Sequence, residues 1–317
     1  MNQKSSSLML EVKNLNKKFG QVHAVKDLNF QIPKGEVFGF LGPNGAGKTT
    51  AMRIITCFIP PTSGSILVDG LDTAEQSLQI RQKIGYLPES TPLYNDMTVQ
   101  EYMNFVGEVR GLKGSRLKSR IDEMFSVCGL TKMTNRQIGK LSKGYRQRVG
   151  LAQAMIHNPD LLILDEPMSG LDPNQIIEIR NLIKKIGEEK TVIYCSHILS
   201  EVSATCDKIL IISDGAIVAS GTPDELTEGY ESGSHYTMKI KGEKISIENS
   251  LSDIDGVSMV KLQDLDSGWH NALIQTATKD DIGEMLFNCA VDNGWSLAEL
   301  RRESASLEDV FTQLTRS

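Results

Sequence analysis

Residues 42–50 read GPNGAGKTT. The stretch fits G-x-x-x-x-G-K-[ST] and lies between an apolar run, EVFGFLG, that reads as a strand, and a helical run that opens at Lys48. Strand, glycine loop and helix in that order are what a phosphate cradle requires. Gly42, Gly45 and Gly47 let the backbone turn tightly enough for its N–H groups to converge on phosphate oxygens, with Pro43, Asn44 and Ala46 completing the loop. The helix N-terminus adds its partial positive charge. Lys48 is placed to neutralise β- and γ-phosphates, the Thr49 hydroxyl to hold Mg²⁺, and Thr50 supplies the next N–H.

The strand before the loop is apolar on both faces, which predicts a central place in a sheet. LLILDEP (161–167), TVIYCSH (191–197) and KILIIS (208–213) are further short buried strands separated by helical stretches. Alternation of that kind is the α/β pattern, and it puts the ligand crevice at the carboxyl ends of the strands. Asp165 and Glu166 end one such strand. Asp165 is suited to hold Mg²⁺ directly or through water. Glu166, one residue on, points elsewhere and can take a proton from a water attacking a γ-phosphate. His197 ends another strand and is a candidate hydrogen-bond donor to that phosphate.

The remaining pattern divides the chain. A helix is expected from Lys48 to about Ile59, a helical stretch from Met97 to about Gly129, and another helix from about Tyr145 to Ile156. Gly and Ser in EGYESGS read as a linker over 229–234, separating residues 1–228 from a small unit over 235–317. There the order is strand (TMKIKG), helix, strand (VSMVKLQ), strand (NALIQTA), helix, strand (SLAELRRES) and a last helix (LEDVFTQLT). That order predicts an α+β, ferredoxin-like domain, in which no chemistry is visible.

Bulk properties narrow the function. The 317 residues suffice for about two domains, and 40% hydrophobic with 23% charged residues is an ordinary globular balance. A net charge of −6 argues against nucleic acid as a main partner. Cys57, Cys128, Cys195, Cys206 and Cys289 are odd in number and scattered, which fits a reduced cytosolic protein better than a disulfide framework or a zinc site. MNQKSSSLMLEVKNL has no apolar core of signal-peptide length, and no apolar run approaches the roughly 20 residues that cross a bilayer. Any membrane role is therefore expected to come through a partner. The cationic set Arg110, Lys113, Arg116, Lys118 and Arg120 reads as a solvated helix face, with anionic lipid headgroups as the alternative.

One stretch is left over. LSKGYRQR (141–148) offers Ser142 as a helix cap and bare amides near Gly144, a second anion-binding surface. A nucleotide has one triphosphate. Either the second surface is plain capping, or it grips phosphate held by another copy.

With these motifs in order, the chain resembles the ATP-binding subunits of ATP-binding cassette (ABC) transporters over nearly its whole length. GPNGAGKTT is the phosphate loop, IGYLPES (84–90) lies where the Q-loop falls, LSKGYRQR is the signature usually written LSGGQ, LLILDEP is Walker B, SGLD (169–172) the D-loop, and His197 the switch histidine. LSKGYRQRVGLAQA and LEDVFTQLT are similar to type 2 exporter subunits, the group of drug, polysaccharide, sodium and gliding-motility systems.

The resemblance implies a P-loop NTPase fold: a RecA-like core with an antiparallel β subdomain and a helical subdomain over about 89–150. It implies ATP and Mg²⁺ as ligands, Phe19 stacked on adenine, and head-to-tail dimerisation. Each ATP would then lie between the phosphate loop of one copy and Ser142 and Gly144 of a second, with an identical partner favoured by the complete motif set. It also implies integral-membrane permease subunits, an export role, and a place on the cytoplasmic face of the membrane. Two departures stand out. Lys143 and Tyr145 replace Gly and Gln, and Glu89 stands where most of the family has Gln, still able to ligate Mg²⁺ but adding negative charge, so a tighter dependence on Mg²⁺ is expected. The rival reading is a soluble ABC ATPase acting on a ribosome, DNA or another macromolecule. Such proteins usually carry two cassettes or a long coiled coil, whereas one cassette stands here with 93 residues from Lys48 to Leu141. A kinase or small GTPase leaves LSKGYRQR without a role.

Overall fold

The computed structural model describes residues 7–230, 234–277, 280–303 and 307–315. They form two compact units that part between Thr222 and Pro223.

In the first unit, Leu8–Phe19 (β1) and Val22–Pro33 (β2) pair as an antiparallel hairpin. Val37–Leu41 (β3) is buried at every residue, and Lys48–Ile55 (α1) follows the glycine loop. Ser63–Val68 (β4) pairs with the free edge of β1 and Leu71–Asp72 (β5) with β4, giving a sheet of order β2-β1-β4-β5. Ser77–Lys83 (α2) leads into Ile84–Leu87 (β6).

Three helices come next, Val99–Val109 (α3), Gly114–Val127 (α4) and Lys143–Met155 (α5), packed on one another through Tyr102, Met103, Val106, Leu117 and Ile121. Thr98 and Glu101 form a reciprocal capping box at the start of α3. The helical stretch expected from Met97 to about Gly129 is two helices, parted where Gly111 turns left-handed at φ 82°.

Leu161–Asp165 (β7), Pro173–Gly187 (α6), Thr191–Ser196 (β8), Leu199–Ser203 (α7), Lys208–Ser213 (β9) and Ala216–Gly221 (β10) complete the unit. The main sheet has order β10-β9-β3-β8-β7-β6, parallel except for β10. The glycine loop therefore leaves an interior strand, as the unbroken apolar run predicts. The carboxyl ends of β3, β8, β7 and β6 lie side by side, which is where Gly42, His197, Glu166 and Glu89 follow their strands.

Two helix bounds differ from expectation. The first helix ends at Ile55 instead of Ile59. Cys57 turns left-handed at φ 57°, with its amide on Ile54 O and that of Phe58 on Arg53 O, a Schellman closure with cysteine at the glycine position. Helix α5 begins at Lys143 instead of Tyr145, because Ser142 caps it by accepting from the Tyr145 amide.

The second unit opens with Pro223–Tyr230 (α8). Of the linker expected at 229–234, Gly229 and Tyr230 end this helix and residues 231–233 lie outside the described residues. The first six residues of the stretch read for a leader also lie outside them. His235–Lys241 (β11), Lys244–Ser252 (α9), Val257–Asp264 (β12), Trp269–Thr276 (β13), Gly283–Asp292 (α10), Ser296–Glu303 (β14) and Leu307–Thr315 (α11) follow. The four strands make an antiparallel sheet of order β12-β13-β11-β14, with α9 between the first two strands in sequence and α10 between the last two. This is the expected ferredoxin-like arrangement. It has its own core around Tyr236, Met238, Ile240, Ile247, Leu251 and Leu286.

Candidate nucleotide site

The loop after β3 is shaped by its glycines. Gly45 and Gly47 have φ of 83° and 101°, and a Cβ on Gly47 would strike the carbonyl of Ala24. The first amides of α1 have no acceptor within the helix and are left for a ligand. Lys48 is 6% exposed, and its ammonium bridges the loop by donating to Gly42 O (2.7 Å) and Pro43 O (3.1 Å). An open cleft of about 350 Å³ is lined by Ala24, Asn44, Gly45, Gly47, Lys48, Thr49, Thr50, Glu89 and Glu166. The glycine loop and two of the three expected carboxylates thus share one cleft.

Asp165 is not among the residues lining it and is 1% exposed. Burial raises its pKa above the usual carboxylate value; the nearby Thr49 hydroxyl partly opposes this, and the charges of Glu166 and Glu89 add to it. Among the described residues its Oδ1 is shielded from water and has no hydrogen-bond partner, while Oδ2 accepts from Tyr86 OH at a long 3.5 Å. An orphaned carboxylate oxygen beside the Thr49 hydroxyl and the Glu89 charge suits a hard divalent cation. Among the described residues no group of three or more His, Cys, Asp or Glu side chains could enclose a metal alone.

Glu166 is 6% exposed and left-handed at φ 51°. A non-glycine residue in that region is strained, and the strain is held by its amide bonding Cys195 O at 2.9 Å. The turn aims its side chain away from that of Asp165, into the cleft. His197 Nδ1 lies 2.8 Å from Glu166 Oε1. A carboxylate only accepts, so Nδ1 carries the proton in this bond. Nε2 then offers a lone pair, and it can donate to a γ-phosphate only as imidazolium or after the tautomer changes and the Glu166 bond is lost.

Three expected ligands lie elsewhere. Ser142 and Gly144 are not among the residues lining the cleft. Gly144 faces Gln175, so closely that a Cβ there would meet its amide, and it lines a polar groove with Arg148, Asp172 and Glu178. Phe19 is half exposed at the end of β1, with the Lys17 ammonium 5.0 Å from its ring centre. Lys143 reaches its ammonium over Gly170 of the SGLD turn. One carboxylate escaped sequence reasoning. Glu201 is 6% exposed and bonded into the back of the Glu166 turn through Ser196. Its only signal is a spacing of four residues from His197.

The comparisons agree with this geometry. Residues 25–169 match the family model described as ABC transporter. The ABC transporter ATP-binding protein NatA of Bacillus subtilis is 41% identical over 213 residues, 67% of this chain and 87% of that protein. The linearmycin resistance ATP-binding protein LnrL of the same organism is 32% identical over 308 residues, 97% and 98% of the two chains. Among solved structures, the dimeric post-hydrolysis state of the ATP-binding cassette MJ0796, bound to ADP and Pi, superposes with a TM-score of 0.62 at 28% identity, covering 68% of this chain and 98% of that one. With a phosphate loop, a buried Walker B carboxylate and a glutamate–histidine pair at adjacent strand ends, the chain belongs to the ABC transporter ATP-binding proteins and is an ATPase of that family.

Proposed function

We propose that this chain powers export through separate integral-membrane permease subunits, working as a head-to-tail pair on the cytoplasmic face of the membrane. The observation that carries the pairing is the separation of two phosphate-binding surfaces. The glycine loop, Lys48 and Glu166 share one cleft, while the Ser142-capped start of α5 lies outside it and lines another groove. A second copy, turned head to tail, would bring its Ser142 and Gly144 to the γ-phosphate and Phe19 would stack on adenine. The full-length likeness to LnrL, named for resistance to linearmycin, supports the export reading.

The loop amides and Lys48 bind and orient the triphosphate. Thr49 and Asp165 would hold Mg²⁺, with Glu89 at the rim, and the ion would neutralise charge on the β- and γ-phosphates. Glu166 accepts the proton of the attacking water, so its carboxylate becomes a carboxyl as the bond to ADP breaks. His197 keeps that carboxylate aimed.

Replacing Glu166 by Gln leaves the cleft and Lys48 in place. ATP binding should persist while turnover falls roughly 10²–10⁴-fold, and a two-copy species should accumulate in light scattering with Mg²⁺ and ATP. Full turnover would remove Glu166 as the base. Ser142→Arg should leave ATP affinity of the single copy unchanged and abolish both turnover and pairing. Retained hydrolysis in that variant would refute the composite site.

A further inference from the structure

Glu166 has a second neighbour besides His197. Ser196, the last residue of β8, is fully buried, and its hydroxyl lies 3.3 Å from Glu166 Oε2 and 3.1 Å from Glu201 Oε2. A hydroxyl has one proton, so it serves one carboxylate at a time. The Ile198 amide donates to Ser196 Oγ at 3.1 Å and fixes the oxygen between the two acids. Tyr194 donates its phenol to the same Glu201 oxygen at 2.8 Å. Burial first, and the Glu201 charge second, push the Tyr194 pKa far up, so the phenol stays a donor throughout the working pH range.

Glu201 accepts from two buried hydroxyls but has no cation among the described residues to offset its charge. It is 6% exposed, and no Lys, Arg or His among the described residues forms an ion pair with it. A buried carboxylate without a cation is costly, and an apolar side chain of similar volume would pack more favourably. Among the described residues its side chain accepts hydrogen bonds from Tyr194 and Ser196, and Ser196 leads to the base.

We propose that Glu201 is a positioning residue for ATP hydrolysis, competing with Glu166 for the single proton of Ser196. While Ser196 donates to Glu201, Glu166 Oε2 keeps its lone pairs free for the attacking water. When Glu201 is absent, Ser196 donates to Glu166 Oε2 and occupies the oxygen that the water needs. The inference rests on Glu166 as the base but concerns a residue outside the cleft.

The full chain, with its permease if turnover requires it, is assayed for steady-state ATP hydrolysis and, separately, for ATP Kd. Glu201→Ala should lower kcat about tenfold with Kd unchanged. Glu201→Gln, whose amide oxygen can accept from both Tyr194 and Ser196, should restore kcat to within about threefold of the original. The decisive variant is Ser196→Ala combined with Glu201→Ala, which removes the competing donor and should hydrolyse faster than Glu201→Ala alone. A scaffolding role predicts the reverse, a double variant at least as slow as the slower single one, and that result overturns the proposal. Should Glu201→Ala not fold, Tyr194→Phe decides: it leaves Glu201 more dependent on Ser196, so kcat stays level or rises, and a tenfold loss with intact folding refutes the competition. Glu166→Gln is run alongside. If it abolishes turnover while Glu201→Ala is as fast as the original, Glu201 alone is dismissed. If Glu166→Gln keeps full turnover, the base assignment falls and the competition with it.

Discussion

The surroundings of Asp165 work against its charged form. Burial raises its pKa, so the folded state binds its proton more tightly than the unfolded chain does. The penalty for ionising it in the fold is full above its folded pKa and fades as pH falls from there toward the unfolded carboxyl value. Replacing Asp165 by Asn should therefore raise the melting temperature of the nucleotide-free protein at pH 7 by a few degrees, taking about 2–4 °C per kcal/mol for a domain of this size. The same variant should lose the Mg²⁺-dependent part of stabilisation by ATP. A lower melting temperature at pH 7, or an intact Mg²⁺ effect, would contradict the assignment. Asp165, Glu166 and the glycine loop were legible because each ends a strand and the parallel sheet sets those ends side by side. Glu201 was not. A glutamate four residues after a histidine looks like any solvated helical glutamate until α7 folds back on β8 and buries it.

At the scale of elements, His157 pins the turn between α5 and β7 onto the neighbouring strand. Its Nε2 donates to Ile84 O of β6 at 3.0 Å, which leaves Nδ1 as a buried lone pair without a partner. Burial, then the charge of Arg110, with smaller shares from Arg120 and Lys190, push its pKa down to about 4. The unfolded ring titrates near 6.5, so the folded state binds fewer protons between the two values. The stability contributed by keeping the ring neutral is fully present above about pH 6.5 and is lost as pH falls toward 4, at most about 3 kcal/mol in all. His157→Gln can still donate to Ile84 O but does not titrate. Followed by circular dichroism, its melting temperature should drop less between pH 7.5 and 5 than that of the original, and parallel curves would show that His157 is not the cause. The strands around this pin were readable from unbroken apolar runs such as LLIL and VIYC. Helix ends were less so. Nothing in the sequence marks Cys57 as the left-handed residue that stops α1, since that position normally selects glycine.

Across the whole molecule, two units with separate cores share one chain. The order of strands and helices beyond 234 was readable, because two helices fall at the crossover positions of a split βαβ sheet. The place of division was not. Pro223 starts a helix that belongs to the second unit, and EGYESGS drew attention to glycine and serine instead. The relative LnrL matches this chain across both units, so the second unit is part of the common design and not a stray extension. All nucleotide-cleft residues lie in the first unit. A ligand that binds one unit stabilises that unit by RT ln(1 + [L]/Kd), about 2.7 kcal/mol at a hundredfold excess over Kd. Calorimetry of the full chain should then resolve two transitions. Mg²⁺ and ATP should move one of them up by about 5–10 °C, the conversion expected for roughly 220 residues, and leave the other in place. Glu166→Gln, expected to bind without turning over, should keep the ligand intact during the scan. A single transition that moves as a whole would mean that the two cores unfold as one cooperative unit.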